Sequence, residues 1–548
     1  MAAKTAEQAG AAGGGGPAPA PAGAAGTTTT RSVFAARTID DIYEEVRRAY
    51  LADGRPWILG YSGGKDSTCM VQIVWTALQG LPPGKLGKRV YVISSDTLVE
   101  SPKIVERITD TLRMMEDAAE KSGLPVSTNL VRPVLEDTFW VCLLGRGYPA
   151  PSRVFRWCTD RLKIRNADRF IREKVSEYGE AVVVLGTRKD ESGERRRTME
   201  NHEAPHGVAT TAAAEEEGGA TESLFMRHSH LPSAYVYAPL RDFVTKDVWN
   251  YLLQNPNPWG ANNRDLLALY KDADSPDCPL VVDNTTPSCG NSRFGCWTCT
   301  VVEDDISMRH LVENGEAWLE PLLELRDELK ETQKDPVRKR EVREVRRRDG
   351  QFVLMKDDGA AEQEPDGGAA EEAEGAGKAF VPGPYTMDFR RRFLRKLLAA
   401  QRQVRETGPN PDIELISADE VHEIQRLWRV EYGDWRDTAY AIYREQTGED
   451  ISARRTADDA VFSGPEQDML EEACEQSGAP ALLVSKLLEL ECTHSGAGRH
   501  AGIHGKIDRV LSEEWRTDLT EVASELRDVR GLDDFERNMK NDAASGSS

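Results

Sequence analysis

Arg55-Pro-Trp-Ile-Leu-Gly-Tyr61, then Ser62-Gly63-Gly64-Lys65-Asp66-Ser67, then a run in which Met70, Ile73, Val74, Ala77 and Leu78 recur at helical spacing: this stretch decides the fold. Its first part is a short apolar run of buried-strand character, its last part an amphipathic helix, and Gly80-Leu-Pro-Pro-Gly84 stops that helix. Two glycines between strand and helix let backbone amides wrap an anion. The helix N-terminus adds partial positive charge there and Lys65 adds a full one. The segment is a phosphate cradle. It lacks the four-residue interval and terminal Gly-Lys-Ser/Thr of a Walker loop, so ordinary P-loop ATPase chemistry is not what it predicts.

Outward from this centre, strands are expected at 89–94, 126–131, 181–186 and 234–239, with helices at 38–51, 103–119 and 164–178. Alternation of this kind predicts an α/β fold, a doubly wound, mostly parallel sheet with helices on both faces. In such a sheet ligands gather at strand C-terminal ends. Two further loops therefore belong to the same rim. Gly186-Thr-Arg188-Lys-Asp-Glu191-Ser192 offers Arg188 for charge developing on an α-phosphate and Glu191 as a partner for Mg²⁺ or a hydroxyl. Ser94-Ser95-Asp96-Thr97 is a weaker nucleotide signal.

Two groups of cysteines carry the remaining chemistry. Cys158 stands among Arg153, Arg156, Arg161 and Lys163, and nearby cations favour thiolate, making it a candidate sulfur acceptor or nucleophile; the competing reading is an inert buried thiol. Cys278, Cys289, Cys296 and Cys299 form a four-thiolate set of the kind that holds Zn²⁺ or an iron–sulfur cluster. Only one close Cys-x2-Cys pair is present, whereas zinc ribbons show two, and Gly and Pro between the ligands suit a bulkier object. The balance favours [4Fe–4S].

The 548 residues carry 70 Lys+Arg against 92 Asp+Glu, a net charge of −22, which disfavours a wholly basic nucleic-acid binder but not a local basic patch. No run approaches the roughly 18 apolar residues of a membrane helix, and residues 1–30 lack signal-peptide character, so a cytoplasmic protein with no membrane partner is expected. The organisation predicted is a tail at 1–30, a nucleotide domain at 31–270, a cluster segment at 271–330, a basic helix and acidic linker at 331–378, and a helical region at 379–548. The acidic linker is 357–374, and a further insert lies at 210–221. Apolar helices are expected at 479–490 and 515–529. The basic runs 338–348 and 390–405 fit DNA phosphate contact or, equally, a solvated or docking helix face.

The glycine loop resembles the pyrophosphate loop of ATP pyrophosphatases. Together with Gly186-Thr-Arg188…Glu191-Ser192 and the strand–helix alternation, it resembles the phosphoadenosine phosphosulfate (PAPS) reductase superfamily, of adenine nucleotide alpha hydrolase-like fold. More narrowly, Gly145-Arg-Gly-Tyr-Pro-Ala-Pro-Ser-Arg153, Arg156-Trp-Cys-Thr-Asp-Arg-Leu-Lys163, Pro258-Trp-Gly260 with Asn263-Arg-Asp-Leu-Leu267, and the whole 278–299 segment resemble the DndC family of DNA phosphorothioation sulfurtransferases, over Arg31 to Arg326.

The resemblance implies adenylation of a DNA phosphate oxygen by ATP, pyrophosphate release, and displacement of AMP by sulfur from a cysteine desulfurase, with DNA and other phosphorothioation subunits as partners. Ser62, Gly63, Gly64, Lys65, Asp66 and Ser67 would bind ATP phosphates, with Ser95, Asp96, Gly186 and Glu191 at the same rim. Arg188 would steady the transition state, and the four cysteines would hold the cluster. The reductases' C-terminal Glu-Cys-Gly and adjacent Cys-Cys pair are both missing, which disfavours reductase activity. The alternatives are a related sulfurtransferase acting on tRNA or single-stranded DNA, and a non-catalytic iron–sulfur, ATP-binding scaffold subunit.

Overall fold

The computed structural model describes residues 31–191, 196–197, 199, 224–228, 230–273, 295–334, 341–355, 380–452, 462–495 and 502–528. The expected insert at 210–221, the acidic linker, the basic residues 338–340, Ser192, Cys278 and Cys289 lie outside them.

Short runs of apolar and β-branched residues form the sheet: β1 (Trp57–Gly60), β2 (Val90–Ser95), β3 (Val126–Val131), β4 (Ala181–Val184), β5 (Met226–Arg227) and β6 (Ala234–Tyr237). β1, β4 and β6 are buried throughout, which is why they read as continuous hydrophobic runs rather than alternating ones. Their order is β3-β2-β1-β4-β6-β5, parallel except for β5, which pairs antiparallel to β6 through Met226↔Val236 and Arg227↔Tyr235. The sequence reading expected every strand but this two-residue edge piece, too short to show a period.

Because β1 lies between β2 and β4, the chain leaves β1 toward one side of the sheet and later returns to the other. The loops after β1 and β4 therefore open face to face at a topological switch point. Helices Ile39–Leu51 and Lys65–Gln79 help to bury one face of the sheet. The first begins in a capping box between Thr38 and Asp41. Helix Pro102–Ser122 ends at Gly123, whose φ of 66° supplies the left-handed turn for its C-cap.

A second core joins the middle of the chain to its C-terminal helices. Phe139 to Leu144, partly in a π-helical turn at Val141–Gly145, pack with Leu319, Leu322, Phe393, Leu397, Ile424 and Trp428 among others. Indole N–H groups fasten the joint: Trp140 donates to Leu415 O and Trp428 to Leu144 O, both at 2.7 Å. The helices Met387–Thr407, Ala418–Tyr432, Thr438–Thr447, Gly464–Ser477, Ala481–Ser495 and Ile503–Leu511 make up the described C-terminal region. The helix expected at 515–529 starts only at 519, because Asp518 Oδ1 accepts from the N–H groups of Thr520 and Glu521 and so caps it there.

Several described residues of the basic runs are engaged within the molecule. Arg390 is fully buried, donating to Gly145 O and Tyr385 O with its guanidinium 4.0 Å from the Tyr432 ring. Arg395, Lys396 and Arg348 pair with Glu445, Glu328 and Glu431, while Arg402 and Arg405 donate to backbone carbonyls. Among the described residues no helix is long and apolar enough to cross a membrane.

Candidate functional site

The switch-point loops form the first half of the site. Gly63 takes φ +73°, which a side chain would strain, and Gly64 opens the helix Lys65–Gln79 without a side-chain cap. Ser67 Oγ sits 2.9 Å from Ser62 Oγ and donates to Gly64 O, so the two serines hold the loop closed on itself. From the other side of the sheet, Arg188 donates through Nε to Asp66 Oδ1 at 2.7 Å, and Lys65 Nζ lies 3.0 Å from Asp66 Oδ2. All three residues are at most 2% exposed. One carboxylate thus holds two cations in place, and the trio carries a net positive charge where a polyphosphate would lie.

Gly186 supplies the close approach between these loops: a Cβ there would lie 2.8 Å from Asp66 O and 3.1 Å from Ser67 N. Gly186→Ala is expected to push the Arg188 loop off the cradle. ATP binding measured by calorimetry should weaken about tenfold or more, as misplacement of binding groups by a fraction of an ångström does.

Orphaned polar atoms surround the same spot. Ser94 Oγ and Ser95 Oγ are buried without a hydrogen-bond partner among the described residues, and Asp66 Oδ2 has only its ionic contact with Lys65. Such groups cost stability unless a ligand satisfies them, and hydroxyl donors beside a buried cation suit the oxygens of a phosphate. Asp96 accepts from Leu98 N–H and Arg132 Nε, both at 2.9 Å. Glu191 lies in the turn after Arg188, its N–H 3.3 Å from Arg188 O. Tyr270, which sequence reading missed, covers the cradle: its hydroxyl accepts from Lys65 N–H at 3.1 Å and its ring faces Lys65 Nζ.

The second half of the site is a cavity of about 40 Å³ lined by Cys158, Cys296 and Cys299, with Arg156, Lys163, Phe139 and Thr298. Sequence reading assigned Cys158 and the Cys296/Cys299 pair to separate tasks; the fold brings them to one space. Cys158 sits on the single turn Trp157–Thr159, ahead of a π-helical turn at Asp160–Ile164, and Trp157 stacks on Phe139 at 5.2 Å. Of the four expected cations, Arg156 and Lys163 line the cavity, whereas Arg161 is ion-paired with Asp137 and Arg153 is exposed. Burial raises the Cys296 thiol above its ordinary value, with Lys163 pulling it back.

The cysteine loop is held from behind by the helix Glu320–Lys334. Arg326, 1% exposed, donates to the carbonyls of Cys299, Val302 and Glu303. Lys330 donates to Thr300 O, and Gln333 bridges Thr300 Oγ1 to the carbonyls of Ala150 and Pro151.

The two halves meet through the loop after β2. Leu98, in the left-handed region at φ 63°, turns the chain so that Glu100 bridges Cys296 in antiparallel fashion; Trp297 N–H donates to Val99 O at 3.0 Å. Thr97 Oγ1 lies 3.2 Å from Cys296 Sγ. Burial pushes the Glu100 carboxyl up to about 7, Lys163 opposing and Asp96 reinforcing the shift.

Among the described residues no three His, Cys, Asp or Glu side chains converge closely enough to hold a metal ion. The donor type suits a thiophilic centre, since three thiols face one cavity, but Cys278 and Cys289 lie outside the described residues.

Residues 56–302 match the family model of the phosphoadenosine phosphosulfate reductase domain. With the mostly parallel six-stranded sheet, this makes the fold PAPS reductase-like, adenine nucleotide alpha hydrolase-like, followed by a helical C-terminal region. "Uncharacterized protein MJ0066" of Methanocaldococcus jannaschii is 23% identical over 265 residues, 48% of this chain and 39% of that protein; the chain therefore spans less than half of that relative's length. Two solved structures are also similar. The PAPS reductase from Candida auris in its phosphate complex is 14% identical, covering 42% of this chain and 90% of that one at a TM-score of 0.25. The U34-tRNA thiolase NcsA from Methanococcus maripaludis with its [4Fe-4S] cluster is 14% identical, covering 54% and 80% at a TM-score of 0.24.

Proposed function

We propose, from the PAPS reductase domain at 56–302, that this chain is an ATP-dependent sulfurtransferase that exchanges a non-bridging oxygen of a DNA backbone phosphate for sulfur. The observation that carries the reading is the cysteine cavity, joined by the Thr97–Cys296 contact and the Glu100 bridge to the rim of the nucleotide sheet. An activated phosphate and a sulfur nucleophile need such adjacency.

In the first step the phosphate oxygen attacks the α-phosphorus of ATP, and pyrophosphate leaves with the electron pair of the broken P–O bond. Lys65 and Arg188, both held by Asp66, stabilise the charge that develops, and Glu191 at the same rim would hold Mg²⁺. In the second step the terminal sulfur of a persulfide on Cys158 attacks the DNA phosphorus, and AMP departs carrying the oxygen. A small thiol then cleaves the S–S bond, freeing the phosphorothioate, and a second thiol restores Cys158 with one disulfide formed. The persulfide sulfur comes from a cysteine desulfurase. Cys296 and Cys299, with Cys278 and Cys289, would hold the [4Fe–4S] cluster, which supplies a thiophilic iron centre when bound.

The test is mass spectrometry of nuclease-digested DNA after incubation of the full chain with ATP, a desulfurase, cysteine and the remaining system subunits. Phosphorothioate dinucleotides dependent on ATP are expected, and Cys158→Ser should abolish them while pyrophosphate release persists. Thionucleosides formed in tRNA instead would move the substrate, and sulfur incorporation that survives both Cys158→Ser and ATP omission would overturn the reading in favour of a scaffold.

A further inference from the structure

We propose that the turn at 152–156 is where a nucleic-acid strand lies across the mouth of the cysteine cavity, a base resting on Phe155 and backbone phosphates on Arg153 and Arg156. The inference rests on the preceding reading that the substrate is a nucleic acid.

Val154 is 98% exposed and Phe155 46%, two consecutive apolar side chains presented to water. Looseness does not explain the display. Ser152 N–H donates to Phe155 O and Phe155 N–H to Ser152 Oγ, both at 3.1 Å, and the preceding Pro151 carbonyl is gripped by Gln333 and Thr300. The turn is therefore preorganised, which lowers the ordering cost of binding.

Its charge points to the occupant. The chain carries −22 overall, and among the described residues several clustered arginines are ion-paired, as with Arg161, Arg348 and Arg395. Among the described residues the guanidinium groups of Arg153 and Arg156 make no hydrogen bond or ion pair. Arg156 also lines the cavity beside Cys158, so a phosphate held there lies next to the thiol proposed to attack it. An exposed aromatic ring with two guanidinium groups in the same turn, unpartnered among the described residues, is the arrangement that binds a single strand, since each base offers a π-face and each nucleotide a negative charge. A protein partner would use a wider apolar patch and gain little from the two cations.

Fluorescence anisotropy with labelled single-stranded DNA, duplex DNA and single-stranded RNA, over a salt series, tests this on the full chain. Phe155→Ala should weaken single-strand binding about tenfold with little change in salt dependence. Arg153→Ala with Arg156→Ala should weaken it further and lower the salt slope by about 1.4, two phosphates' worth. Unaltered thermal unfolding would show that these substitutions leave the fold intact. Wild-type binding that all variants retain would overturn the assignment of the turn while leaving the nucleic-acid reading in place. A wild type that binds no oligonucleotide would overturn both. Loss of binding to a sulfur-donor protein in Phe155→Ala, with oligonucleotide affinity unchanged, would make the turn a protein dock and overturn the proposal.

Discussion

Under the proposed adenylation of DNA, Lys65→Ala is expected to lower pyrophosphate release at least about 100-fold while the protein stays folded. The reason lies in the charge count of the buried trio. Asp66 touches both cations, and the only other carboxylate against them among the described residues, the partly exposed Asp190, stands 3.8 Å from Arg188, so the buried trio itself carries two positive charges against one negative. Removing Lys65 strips Asp66 Oδ2 of its only partner among the described residues, while Arg188 stays held by Asp66 and Asp190, so the pocket loses the cation that the proposed mechanism sets against the phosphates.

The contrasting variant sharpens the test. Asp66→Ala leaves Lys65 buried and unpaired beside Arg188, which keeps only its longer contact with Asp190 at 3.8 Å, a defect of about 3–5 kcal/mol that should show in thermal unfolding before any assay of activity. A Lys65→Ala protein with undiminished pyrophosphate release would mean that the loop holds nucleotide without taking part in its cleavage.

How much of this was legible follows from what each residue needed. The cradle was readable because its signal is local: glycines and a lysine between a strand run and a helix run require no knowledge of the rest of the chain. Arg188 was readable by topology, since parallel strands deliver their C-terminal loops to one rim. Tyr270 was not readable, because it reaches Lys65 from 205 residues away and nothing in its own surroundings marks it. The shared cavity of Cys158, Cys296 and Cys299 was hidden for the same reason, two distant loops meeting through Glu100 and Thr300. Composition also misleads about the arginines. Arg390 looks like a surface cation in a basic run, yet it is fully buried and serves the carbonyl of Gly145, because helix phase and not charge decided where it points.

Arg326 shows most clearly how buried charge can serve a functional loop, and Arg326→Met is expected to release that loop. The guanidinium satisfies the carbonyls of Cys299, Val302 and Glu303 at 3.0, 2.7 and 2.8 Å, and pairs with Asp327 at 2.7 Å. Methionine fills much of the volume but donates nothing. Each buried carbonyl left unsatisfied costs roughly 1–3 kcal/mol, and water can reach the more exposed of them, so the whole loss is about 3 kcal/mol. That loss falls on one loop. Lys330 and Gln333 still grip Thr300, so Cys296 keeps its bridge to Glu100 while the 299–303 segment loosens. Alkylation of the metal-free protein, followed residue by residue by mass spectrometry, should therefore speed up about tenfold or more at Cys299 and little at Cys296. Arg326→Lys, which keeps the charge but reaches fewer carbonyls, should fall between. Equal acceleration at both cysteines would mean instead that the loop and the β2 rim open as one unit, with Arg326 bracing the whole joint between nucleotide site and thiols.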